Sequence, residues 1–288
     1  MFIYIVQIIG FLLFGLVGYV AWRRHEFSLY ALATLYAALF ENLDVFISRG
    51  TIGSYFYDPD LFLIIVETPL FVILSWGIIF YTSYTLARGL SKKFWAQALT
   101  VPLLATIIDL PLDPVATKFG LWTWLGYGEN DGIFGVPLAN FIGWYLVIFA
   151  LMICLRISHH VDFLGRSGKY IFVPLFSFGL FIIIFGVFQY TAVALGVNMH
   201  NQFNYLQLFF PIVAALCLVS WLIHKERMKI KISHFYILLF SRLLFYAFSV
   251  IGIISYGFWR DPLFIAVLIF ALALEATANF KFKFNAKT

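Results

Sequence analysis

The chain has 288 residues, of which 63% are hydrophobic and 11% charged, with a mean hydropathy of +0.95. That apolar content excludes an ordinary soluble domain, and its arrangement in continuous runs of bilayer length, without the alternation of barrel strands, excludes a β-barrel. The net charge of +5 sits in short clusters between the runs, which fits membrane topology rather than nucleic-acid binding.

Windows of about 20 residues predict spans at 2–22, 27–48, 60–87, 94–117, 136–155, 170–196, 204–223, 234–258 and 261–277. The last is short enough to be re-entrant, so the expectation is an all-α, polytopic transmembrane bundle of about eight to nine spans, folded as a single domain over residues 1–288. The first run lacks a basic start and a small-residue cleavage site and is expected to be a retained helix rather than a signal peptide. Fifteen Lys and Arg residues follow the odd-numbered spans, from Arg23 and Arg24 to Lys281, Lys283 and Lys287, against Arg49, Lys118 and Arg260 on the opposite side. This asymmetry predicts an N-terminus outside and a C-terminus in the cytoplasm of a multi-pass cell-membrane protein.

Cys154 and Cys217 fall inside predicted helices and read as core packing. His25, His159, His160, His200, His224 and His234 lie in loops or at span ends, without metal-site spacing. No phosphate loop, dinucleotide fingerprint, nucleophile elbow or aspartate-rich diphosphate motif is present.

Membrane carboxylates cost roughly 2.5–3.5 kcal/mol each and need a reason to be there. Span two holds Glu41 and Asp44 in "FENLDVF", three apart and on one helical face. Span three holds Glu67, span four Asp109 and Asp113 in "IIDLPLDP", and span five Asn140. Pro111 and Pro114 are expected to break or unwind span four and to free backbone carbonyls. With a rise of about 1.5 Å per residue, Glu41, Glu67, Asp109 and Asn140 come to about 20 to 24 Å above the cytoplasmic end, a common level at which they would line one cavity. The alternative for each is an interfacial residue or a helix–helix hydrogen bond. Arg242, inside span eight, reads as snorkelling or pairing with a buried acid in a structural role.

Desolvation and a second nearby carboxyl both favour a neutral acid, the reagent that protonates an electron-rich alkene. The resulting carbocation would be tolerated by aromatic faces, for which Trp76, Trp122, Trp124, Trp144 and Phe141 are candidates.

The segments "DPVATKFGLWTW" and "GIFGVPLANFIGW" resemble the signature of the carotenoid-biosynthesis membrane proteins that include bisanhydrobacterioruberin hydratase and gamma-carotene 1'-hydroxylase. "ENLDVFISRGTIGSYFY" and "TPLFVILSW" are similar to that family's upstream segments, and together these stretches cover roughly residues 41–144. The resemblance implies cofactor-free addition of water across the terminal double bond of an acyclic carotenoid end group. It draws attention to Glu41, Asp109, Asp113, Trp122, Trp124, Pro137, Asn140 and Trp144. Small membrane lycopene cyclases have paired glutamates where this chain has Asn140 and Phe141, which argues against that assignment.

The reading is therefore a carotenoid or terpenoid hydratase. Asp109 or Glu41 would protonate the alkene, and Asp113, Asp44 or Glu67, with Asn140, would orient and deprotonate water. Its partners are a lipophilic isoprenoid, water and membrane lipid, with no nucleic acid. The alternatives are a cofactor-free terpenoid cyclase that starts with the same protonation, and a transporter or lipid-binding protein with a carboxylate path.

Overall fold

A computed structural model describes residues 2–128, 131–160, 165–196 and 235–280. Eight α-helices occur among them: α1 (Phe2–Arg23), α2 (Phe27–Ser48), α3 (Leu70–Leu90), α4 (Phe94–Lys118), α5 (Leu138–Ser158), α6 (Gly165–Ala194), α7 (Phe235–Tyr256) and α8 (Pro262–Phe280). Seven are long and apolar enough to cross a membrane, and α8 contributes a shorter apolar stretch, Phe264–Ala276. The predicted span 204–223, with Cys217 and with His200, His224 and His234 around it, lies outside the described residues.

Helices α3 and α4 form the centre. Most of their residues are buried, whereas in α1 and α6 only a minority are, as in peripheral lipid-facing helices. Helix α4 packs against α3, α5, α7 and α8. Its small residues Ala96, Ala98, Ala105 and Ala116 are completely buried and let these neighbours approach closely. Gly252 does the same on α7, where a Cβ would collide with Val115 of α4.

Two expectations about the spans are corrected. Span three begins at Leu70 rather than at residue 60. Residues before it form a tight pair of strands, β2 (Ile64–Ile65) against β3 (Thr68–Pro69), with Val66 at φ +62° in the turn. Pro69 caps α3 in extended conformation, so the helix cannot run back through it. Helix α4 is continuous through Pro102, Pro111 and Pro114 instead of breaking. The carbonyl of Ile107, whose usual donor Pro111 cannot supply, accepts the Tyr246 hydroxyl from α7 at 3.4 Å.

A second short sheet was not expected. Strand β1 (Tyr55–Tyr57) pairs antiparallel with β4 (Trp122–Trp124), matching Tyr55 with Trp124 and Tyr57 with Trp122. This ribbon covers the end of the bundle where α2 and α4 finish and α5 begins.

Candidate active site

Helix α4 stops at Lys118 because Gly120, at φ +72°, reverses the chain, and the Leu121 N–H returns to the Ala116 carbonyl at 3.0 Å. That turn carries β4 back over the helix end. Alternation along a strand puts Trp122 and Trp124 on one face and Tyr55 and Tyr57 on the facing partner, while Phe56 and Thr123 point out. The ribbon therefore delivers four aromatic side chains to the carboxyls below it.

Glu41 is 4% exposed. Its Oε2 accepts the hydroxyls of Tyr55 and Tyr57, each at 2.6 Å, and its Oε1 accepts the Trp76 indole N–H from α3. Burial, and next the neighbouring Glu41, push both phenols well above the usual tyrosine range, so each hydroxyl keeps its proton and donates.

Asp109 and Asp113, 1% and 2% exposed, lie one turn apart on the same side of α4. The Asn140 side-chain amide, from the first turn of α5, donates to both, at 3.3 Å to Asp109 and in a closer bond to Asp113. The other oxygen of Asp113 accepts the Trp122 indole N–H at 2.5 Å. The side chains that donate to this pair, Asn140 and Trp122, are thus neutral.

Two cavities meet here. An apolar one of about 190 Å³ lies among α1, α3, α4 and α7, and Asp109 is the only carboxyl in its lining, facing Trp76, Trp122 and Trp144. A second, of about 400 Å³ and more polar, lies under the ribbon and is lined by Glu41, Asp44, Asn140, Trp124 and Gln189 among others. Trp76 and Trp144 belong to both linings and stack at 3.7 Å between centroids with planes 13° apart. This stacked pair divides the dry space from the polar one.

The structure thus gathers Glu41, Asp109, Asp113, Asn140, Trp76, Trp122, Trp124 and Trp144, and sets Asp44 half-buried at the polar cavity. Glu67 is not brought to them. It lies in the turn before α3, where its carboxyl pairs with Arg49 at 2.5 Å. Phe141 is completely buried in the core and lines neither cavity. Tyr55 and Tyr57 are site residues that the sequence reading does not single out, although "YFY" between the glycine-bearing segment "RGTIGS" and the turn signal "DPD" is a strand signal. Arg242 does pair with a buried acid, Glu275 of α8, at 2.6 Å. Cys154 is a buried free thiol. Among the described residues no group of three or more His, Cys, Asp or Glu is placed to hold a metal ion.

A family model described as carotenoid biosynthesis protein matches residues 2–203. Searches of curated proteins and of solved structures found no match. The match spans well over half of the chain, which belongs to this family of carotenoid-biosynthesis proteins and has a role in that process.

Proposed function

We propose that this protein is a membrane hydratase that adds water to the terminal double bond of an acyclic carotenoid end group. One observation carries the reading: Asp109 is the single carboxyl facing an otherwise apolar, tryptophan-walled cavity, and it is tied through Asn140 to a second carboxyl. The end group enters the apolar cavity from lipid between α1 and α7. Asp109, in its protonated form, gives its proton to the terminal =CH carbon. The π electrons form that C–H bond and leave a tertiary cation, which the indole faces of Trp76, Trp122 and Trp144 stabilise. A water oxygen then bonds to the cation and its surplus proton returns to the Asp109 and Asp113 pair, so that the sum is addition of one water. The basic residues Arg24, Arg88, Arg156 and Lys169 lie at the end of the bundle away from the ribbon. Their number supports a cell-membrane orientation with the ribbon outside and the C-terminus in the cytoplasm.

A cyclase is the second reading, favoured by the dryness of the apolar cavity, where a cation would be quenched within the polyene or by loss of a proton. Product mass separates the two. Cells making several acyclic carotenoids are expected to gain pigments heavier by one water with the wild-type protein, and none with Asp109→Asn. Isomers of unchanged mass would favour the cyclase. Unaltered pigments across all precursors would overturn both.

A further inference from the structure

The polar cavity under the ribbon has a composition that substrate binding in the apolar cavity does not explain. Besides Glu41, Asp44 and Asn140, its lining includes Ser48 and Gln189, whose Oγ and Oε1 atoms are buried and have no hydrogen-bond partner among the described residues. Buried polar atoms are almost always satisfied, and where protein supplies no partner, ordered water does. A roomy cavity with several polar groups meets the conditions for holding water, whereas an apolar one stays dry.

The stacked Trp76 and Trp144 rings line both this cavity and the apolar one. Asn140 lines the polar cavity and also bonds to Asp109, which lines the apolar one. One turn further along α5, Gly143 faces the polar cavity beside Asn140 and Trp144, and a Cβ placed there would meet only Phe185, at 3.9 Å. The absence of a side chain at residue 143 therefore leaves space next to Asn140, a polar bridge between the cavities.

Resting on the reading of Asp109 as proton donor, we propose that the polar cavity is the store of the attacking water, and that Gly143 is a specificity-determining residue: the space it leaves decides whether the cation is captured by water or loses a proton. In the first case the water oxygen bonds to the cationic carbon and the oxonium proton returns to the aspartate pair. In the second, a C–H bond next to the cation breaks, its electrons form a shifted double bond, and the proton returns to Asp109. The acid step is common to both, and both balance without any other reactant.

The test follows pigments by mass spectrometry in membranes suspended in heavy water, for wild type and for the graded series Gly143→Ala, Gly143→Val and Gly143→Leu, with Ala139→Val one turn earlier on the same lining. The expected result is that deuterium still enters the pigment while the ratio of hydrated product to isomer falls stepwise, by about tenfold or more at valine, because the added methyl groups displace ordered water that they cannot replace. If wild type hydrates and the variants incorporate deuterium with an unchanged ratio, the water-store proposal is overturned and the hydratase reading stands. If wild-type protein yields neither hydrated nor deuterated pigment, the hydratase reading falls and this proposal with it. Gly143→Ala and Ala139→Val add little bulk, so they report the ratio even where leucine at residue 143 prevents folding.

Discussion

Helix α4 touches two buried polar groups on different sides of the bundle, and they meet the cost of burial in opposite ways. At Leu104, toward α7 and α8, the completely buried guanidinium of Arg242 makes a two-pronged bond to Glu275, with both contacts at 2.6 Å. Its remaining donors reach Ser83 at 2.7 Å, Thr82 at 3.4 Å and the Leu104 carbonyl at 2.8 Å. Charge and donor capacity are both satisfied. About one turn further on, Asp109 and Asp113 sit as like groups side by side, bonded to the neutral amide of Asn140 and the indole of Trp122. Opposite charges with full hydrogen bonding make a fastening; like acids held by neutral donors are, in the proposed mechanism, the place where a proton is exchanged.

Changing one atom group in each cluster should separate the two roles. The largest expected effect is on rate: Asp109→Asn lowers hydration by about 10²–10⁴-fold, the usual contribution of a positioned acid. Its thermal midpoint in detergent should not fall, since the change removes an acid that no cation compensates. A midpoint that drops with the activity would break the comparison and make Asp109 a structural group.

Arg242→Met should do the reverse, destabilising the fold by about 3–5 kcal/mol because Glu275 is left buried without its cation. The double variant Arg242→Met/Glu275→Met removes both charges and should recover most of that loss. Unfolding in a mild detergent, followed by tryptophan fluorescence, measures both. Equal damage from the single and double variants would mean that packing, not the ion pair, holds α8.

Tyr57→Phe belongs between these extremes. It deletes one of the three donors on Glu41 and should cost about 1 kcal/mol of stability. Fluorescence-detected unfolding is again the measurement, and no loss of stability would show that the ribbon contributes nothing to holding Glu41.

The contrast also explains what was legible beforehand. Long apolar runs reveal helices because a bilayer demands them, and the one-turn spacing of Asp109 and Asp113 is a local property of α4. The span-three boundary failed because "LFLIIVETP" is as apolar as a helix while Pro69 sets where α3 starts. Placing Glu67 on that false helix gave it a depth it does not have. Pairing of residues 55–57 with 122–124 is a contact between distant segments, so the two tyrosines on Glu41 could not be read from a window. The donor to the Ile107 carbonyl that Pro111 cannot serve is likewise Tyr246, far along the chain. The role of Glu275 is visible only beside Arg242, from a different helix.

Glu26, between α1 and α2 at the end away from the ribbon, gives the smallest and most easily screened case. Burial acts to raise its pKa, but the Tyr81 hydroxyl at 2.7 Å and the guanidinium groups of Arg24 at 3.1 Å and Arg88 at 2.5 Å outweigh it and hold the carboxyl below its ordinary 4.5. A carboxyl depressed in the folded state contributes stability above its unfolded value, and this contribution is lost as the pH falls through the lower folded value. The folded protein should therefore lose stability on acidification below about pH 4.5, and Glu26→Gln should flatten that part of the profile while costing no more than about 1 kcal/mol at neutral pH, since Arg88 is partly in solvent. Added salt should erase much of the difference, whereas the dry Arg242 and Glu275 pair should ignore it. Equal salt sensitivity at both ends would show that water reaches Arg242, and the division between fastening and reactive clusters would have to be redrawn.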